Sequence, residues 1–182
     1  MGSLLCMDNR LETTIVSMSD LTNSIEKLSR EEALEAAQNL ALQVTQNASP
    51  SEREEELPKP FIDKPYENVQ EIEQLARLIL LTAAGDAENA ETVRSAIQEA
   101  CRKQVILEGV ETVVLATLGL FALNLLITKG KSPGRRTMKI EEEDGQTKFV
   151  IENQISYGIS PTLGEVLRVY FGRQQTGETV VP

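Results

Sequence analysis

The feature that most limits how this chain can fold is an uncharged run of 16 residues, from Val113 to Thr128. As a helix the run would be about 24 Å long, which is shorter than the roughly 30 Å hydrocarbon core of a bilayer. It fits the buried central helix of a compact domain, or a marginal membrane span followed by the basic residues between 129 and 136. We favour the buried helix, because neighbouring amphipathic segments can cover it. The candidate residues for this core or membrane segment are Val113, Leu118, Phe121, Leu123 and Leu126.

The sequence TMKIEEEDGQTKFVIE predicts a β-hairpin. Asp144-Gly145 is the strongest short signal for a two-residue turn, because a type I′ turn needs a positive φ at both positions. The turn sets the register, so Ile140 should face Phe149, Met138 should face Ile151 and Glu141 should face Lys148. One face of the hairpin is then apolar, and a cross-strand ion pair between Glu141 and Lys148 is expected on the other.

The N-terminal section predicts two amphipathic helices. Spacings of three and four residues place one set of side chains on a single stripe, and this set is the candidate partner-binding surface: Leu11, Ile15, Met18, Leu21, Ile25 and Leu28. Ser29 and Glu32 have the spacing of a capping box, which predicts the start of the second helix. An apolar stripe of this kind must be covered, either by the arm itself as a helical hairpin, by the neighbouring domain, by a second copy or by a foreign partner. We favour a protein partner or self-association through these helices.

A segment rich in proline and acidic residues, 48–65, separates these helices from the rest of the chain. Proline interrupts helices, and the acidic run discourages burial, so the segment is predicted to be a linker. The expected domains are a helical arm at 1–47, the linker at 48–65, a compact α+β domain at 66–172 and a flexible tail at 173–182.

Three further helices are predicted within the compact domain. An apolar stripe runs from Val69 to Ile79, a second helix follows Asp86 and places Cys101 on its apolar side, and a last helix starts near Ser160 or Thr162. The predicted fold class is therefore α+β and mostly helical, with helices around the central apolar helix, a β-hairpin and a C-terminal helix.

The composition argues against most catalytic and nucleic-acid functions. The chain has no histidine, two cysteines and a net charge of −10, so the usual acid–base residue and metal ligand is absent and phosphate backbones are repelled. No phosphate-binding loop, nucleophile elbow or metal motif occurs in the sequence. We therefore expect no catalytic residues, no cofactor, no metal site and no nucleic-acid partner.

The order of elements between Val69 and Glu152 resembles small effector-associated constant components of bacterial conflict systems. The resemblance rests on helices, then a leucine-rich apolar helix with small residues, a basic turn and the TMKIEEEDGQTKFVIE hairpin. It implies a non-catalytic partner coupled to effectors or signalling ATPases, and it transfers no functional residue to this chain.

The function predicted from the sequence is a non-catalytic interaction or adaptor module in the cytoplasm. The alternative is a single-pass membrane anchor or membrane-disrupting effector. In that case residues 113–128 would cross the inner membrane, and the C-terminal part would lie on the cytoplasmic side.

Overall fold

The computed structural model describes residues 18–46, 65–102, 110–128, 138–151 and 155–175. In chain order the elements are α1 (Met18–Lys27), α2 (Arg30–Gln46), a 3-10 turn (Pro65–Asn68), α3 (Val69–Ala84), α4 (Ala90–Arg102), α5 (Val110–Thr128), β1 (Met138–Glu143), β2 (Gln146–Ile151), β3 (Ile155–Ile159) and α6 (Pro161–Gln175). The predicted class, α+β and mostly helical, is confirmed.

Helix α3 is the centre of the core. It packs against α1, α2, α4, α5, α6 and β3, and its residues from Leu78 to Ala84 are all buried. Helix α5 lies against α2 and α3, and a close approach at Gly119 brings it to Leu75 and Ile79 of α3. The apolar run at 113–128 is thus a core helix, but α3 has more neighbours than α5.

The two N-terminal helices belong to this same core. Side chains of α1 and α2 join those of α3, α4 and α5 in one hydrophobic cluster, and α2 packs against α3, α4 and α5. The predicted division into an arm and a separate compact domain therefore does not describe the packing of residues 18–46. The helices before the proline-rich and acidic segment dock on the same core as the helices after it. Most of that segment, and the tail from residue 176, lie outside the described residues.

The hairpin has the predicted turn and register. Asp144 and Gly145 both have positive φ, at 52° and 74°. Ile140 pairs with Phe149, Met138 with Ile151 and Glu141 with Lys148. The predicted ion pair between Glu141 and Lys148 is wrong. Lys148 Nζ instead lies 2.6 Å from Glu143 Oε2. Glu141 and Glu143 are on the same face of β1, so both carboxylates compete for the one ammonium group.

A third strand, which the sequence analysis missed, completes an antiparallel sheet in the order β1-β2-β3. The strand is only five residues long and contains Gly158, so its alternation of apolar and polar residues is too short to stand out. Its inner side chain Ile159 joins the core, and β3 packs on α3. Helix α6 covers β2 on the inner face of the sheet.

Two predicted helix caps are present. The Ser29 main-chain N–H donates to Glu32 Oε2 at 2.8 Å, and the Glu32 N–H donates to Ser29 Oγ at 3.2 Å, as in a capping box. At the start of α6, Ser160 Oγ accepts the Leu163 N–H at 3.1 Å. The main-chain N–H of Ser160 also donates to Gln74 Oε1 at 2.7 Å, which joins the sheet and α6 to α3.

Candidate functional site

The main polar cluster of the described chain is built around Arg77 of α3. Its guanidinium donates to the carbonyl oxygens of Ile25 and Leu28, at 2.8 and 2.9 Å, and pairs with Glu73 at 3.0 Å. The other carboxylate oxygen of Glu73 accepts from Arg30 Nε at 2.9 Å. We call Arg30, Glu73 and Arg77 the arginine clamp, because they join the end of α1 and the start of α2 to α3.

The clamp fixes the charge of its carboxylate. Burial by itself raises the pKa of Glu73, but the hydrogen bonds and the positive charges of Arg30 and Arg77 outweigh it, and the net pKa is below its ordinary value of 4.5. Burial also raises the pKa of the half-buried Tyr157 nearby, and the charges of Glu73 and Glu26 raise it further while that of Arg77 lowers it. These shifts keep Glu73 charged and Tyr157 neutral. Both oxygens of Glu73 are already engaged with arginine, so the clamp has the properties of a structural joint.

Other chemistry-bearing groups are dispersed over the described elements. No group of three or more Cys, Asp and Glu side chains that could hold a metal ion occurs among these residues. Cys101 is half-buried and packs against the hydrophobic core on the apolar side of α4, where the sequence pattern placed it.

The described half of the predicted partner-binding stripe is buried within the protein itself. Leu21, Ile25 and Leu28 are buried in the core between α1 and its neighbours, so they are not available to a partner, and this correction follows from the docking of α1. Leu11 and Ile15 lie outside the described residues, and so does the side chain of Met18.

The five residues predicted for the core or membrane segment divide between two environments. Phe121, Leu123 and Leu126 are buried, Leu118 is half-buried and Val113 is 39% exposed. Within the described parts of the chain, no helix is both long and apolar enough to span a bilayer.

One side of α5 forms a partly exposed apolar surface. Val113, Val114, Thr117 and Leu118 lie on one face of the helix because they are one, four and five residues apart, and all four are exposed or half-buried. We call these four residues the α5 outer strip. The hydroxyl of Thr117 donates to the carbonyl oxygens of Val113 and Val114, both at 3.0 Å, so it is already satisfied inside the helix. The strip therefore presents apolar groups without a charge.

The outer strip ends where α2 closes over the helix. Phe121 and Leu125 continue the same face of α5 and form a small second cluster, and Val44 of α2 packs against both this cluster and the main core. Phe121 and Leu125 are buried, whereas the side chains one and two turns earlier on α5 are accessible. The sequence predicted the run from Val113 to Thr128 as a buried helix or a membrane span and did not indicate an open side, since an apolar helix with no polar face gives no signal for it.

Comparison with known proteins adds no relative to these observations. No protein-family model, no curated protein and no solved structure matches the chain significantly.

Proposed function

We propose that the protein is a non-catalytic interaction module that binds a partner protein through the α5 outer strip. One observation supports this above all: a helix with no charged side chain from Val113 to Thr128 leaves one face accessible, and Val113 on that face is 39% exposed. A surface helix ordinarily places charged residues on its outer side. An uncharged outer face is typical of a helix that another apolar surface covers.

The partner chemistry follows from the shape of the strip. Valine and leucine side chains at spacings of one, four and five residues form a narrow apolar ridge with no hydrogen-bonding group to satisfy. An amphipathic helix packs its apolar face onto such a ridge, and the charged face of the partner remains in water. We infer that the partner contributes a helix with apolar residues at i, i+3, i+4 and i+7.

The setting that we propose is a bacterial defence or signalling assembly in which this chain acts as an adaptor. The order of elements from Val69 to Glu152, which resembles the small constant components of conflict systems, supports this setting. The arginine clamp and the buried side chains of α1 join the N-terminal helices to α3 in one hydrophobic core. The α5 outer strip is part of a helix in this core, so the core holds the proposed binding surface in place.

A site-specific photo-crosslinker tests the proposal. The crosslinking amino acid replaces Val113 in the native cell, and the control replaces Val169 of α6, a valine with nearly the same exposure at 38%. We expect one defined protein adduct from position 113 and none of the same mass from position 169. Equal adducts from both positions, or none from 113, would refute the surface assignment.

A matched pair of substitutions extends this test. Val113→Glu places a charge on the outer strip, and Val169→Glu places one on an equally exposed site elsewhere. Co-purification of the crosslinked partner should be lost with Val113→Glu and retained with Val169→Glu, while both variants melt like the wild type. The membrane alternative makes a different prediction: position 113 would label lipid, and the protein would stay with carbonate-washed membranes. Turnover of a substrate by the pure chain would contradict the non-catalytic role.

A further inference from the structure

Strand β1 has an open edge within the described part of the chain. It pairs with β2 on one side, and no other described strand pairs with it on the other. Its side chains Lys139, Glu141, Glu142 and Glu143 are exposed, and Ile140 is half-buried. An edge of this kind leaves main-chain N–H and C=O groups free to pair with another strand. We propose that the edge of β1 binds β1 of a second copy of this chain, which forms a continuous six-stranded sheet.

The hairpin determines which main-chain groups are free. A two-residue turn makes Glu143–Gln146 the hydrogen-bonded pair that closes the hairpin, and such pairs alternate with non-bonded pairs along an antiparallel ladder. The main-chain groups of residues 139, 141 and 143 therefore point to β2. Those of Met138, Ile140 and Glu142 point to the open edge. A second strand must hydrogen-bond to these even-numbered residues.

The exposed face of β1 has charges that match a second copy. Lys148 is engaged by Glu143, so Glu141, its register partner, makes no ion pair within the described structure. Lys139 makes none there either. In an antiparallel pairing centred on Ile140, Lys139 lies opposite Glu141 of the second copy, and Glu141 lies opposite Lys139 of the second copy. Both are non-hydrogen-bonded pairs, whose side chains approach most closely.

The neighbouring antiparallel registers between the two β1 strands are less favourable than the one centred on Ile140. A pairing centred on Glu141 puts two glutamates directly opposite each other, and a pairing centred on Lys139 does the same with two lysines. A pairing centred between two residues would oppose side chains from different faces of the sheet. The short sequence Lys139-Ile140-Glu141 is therefore complementary to itself in one antiparallel register only.

The inner face is compatible with that register. Ile140 packs on the hydrophobic core beside Gly164 of α6, where a Cβ on Gly164 would lie 3.8 Å from Ile140 Cγ2. Pairing centred on Ile140 brings this half-buried side chain against Ile140 of the second copy and buries both further. The two-fold axis is perpendicular to the sheet, so the helices of both copies lie on the same face of the continuous sheet.

The dimer should be reversible. A six-residue edge buries much less than the roughly 1,200 Å² of total area typical of stable complexes. Its free energy comes from a few main-chain hydrogen bonds, one isoleucine contact and two symmetric ion pairs. The proposal concerns a different surface from the α5 outer strip, and neither depends on the other.

Charge exchange tests the register. Sedimentation analysis of the full chain over a range of concentrations should show a monomer–dimer equilibrium. Lys139→Glu and Glu141→Lys should each weaken it by about tenfold or more, because each converts both symmetric pairs into repulsions. The double variant should restore the dimer. An equimolar mixture of the two single variants should form a heterodimer, since its pairs are again of opposite charge.

Three results would overturn the proposal: a wild-type monomer at all concentrations, single variants that dimerise like the wild type, or a mixture that stays monomeric. Glu31→Lys on α2, a helix with no substantial packing against the sheet, is the control for net charge and should leave the equilibrium unchanged. Thermal melting of each single variant shows whether the hairpin remains folded. A dimer lost together with the fold would be tested again with Lys139→Gln, which removes attraction without adding repulsion and should weaken the dimer by a smaller factor.

Discussion

The guanidinium of Arg77 donates a hydrogen bond to the main-chain carbonyl oxygen of Ile25 at 2.8 Å. This bond and the one to Leu28 bind carbonyl groups at the end of α1 and just beyond it, where a helix leaves its last carbonyl groups without i+4 partners, although the Ile25 oxygen also accepts the Leu28 N–H at 3.3 Å. They also secure a ten-residue helix that would be marginal alone in water. Arg77 of α3 thus helps to fix the position of α1, together with the burial of Leu21, Ile25 and Leu28 in the core.

The first prediction follows from this contact. Arg77→Leu removes the bonds to both carbonyl groups and to Glu73, and it should lower the free energy of unfolding by about 2–4 kcal/mol. Arg30→Ala is the matched control: Arg30 pairs with the same Glu73, but its side chain is 54% exposed and should contribute only about 0–1 kcal/mol. Urea denaturation measures both. Equal losses from the two variants would show that the buried carbonyl contacts have no special role.

The second prediction concerns pH. The pKa of Glu73 is lowered in the folded state, so its contribution is present above the unfolded value near 4.5 and is lost as the pH falls through the folded pKa. Glu73→Gln should therefore destabilise the protein at pH 7, and the difference from the wild type should shrink as the pH falls below 4.5. Glu143→Gln is the comparison variant. Lys148 lowers the pKa of Glu143 as well, but this carboxylate is fully exposed. Salt should abolish the effect of Glu143→Gln and leave most of the effect of Glu73→Gln.

The third prediction concerns the contact of α5 with α3. A Cβ added at Gly119 would lie 2.8 Å from Leu75 Cδ2, so the two helices must separate or Leu75 must change rotamer. Gly119→Ala should cost about 1–3 kcal/mol, even though alanine favours a helix by about 1 kcal/mol over glycine. Gly158→Ala is the control, because a Cβ there meets no atom within 4 Å. Thermal melting should show a lower Tm for Gly119→Ala alone.

The fourth prediction separates two faces of α5. Leu123 is fully buried, so Leu123→Arg places an unpaired charge in the core and should give unfolded or insoluble protein. Leu118 is half-buried on the outer strip, where the long arginine stem can lie on the helix and its charged end can reach water. Leu118→Arg should remain folded by circular dichroism and lose the crosslinked partner. Unfolding of both variants to the same degree would place the outer strip inside the core.

Local features of this protein could be predicted because they depend on neighbouring residues. The register of β1 and β2 follows from a two-residue turn and strict alternation, and the capping box follows from two side chains three residues apart. The existence of α3, α4 and α6 follows from the period of their apolar residues. Each of these signals lies within a stretch of at most about 20 residues.

The tertiary structure decided the features that depend on distant residues. Composition predicted a linker at 48–65 but could not tell whether the helices before it dock, because docking depends on the fit between faces that are far apart in sequence. Arg77 interrupts a nearly continuous apolar stretch of α3, which could have marked it as a buried polar contact, but its acceptors are carbonyl groups about 50 positions earlier. Lys148 pairs with Glu143 and not with Glu141. Both carboxylates lie on the same face of β1, so the sequence alone does not determine which of them the lysine binds. Helix α5 has no polar face, so its sequence does not indicate which side is exposed. The packing of α2 and α3 against it leaves the side with Val113 open.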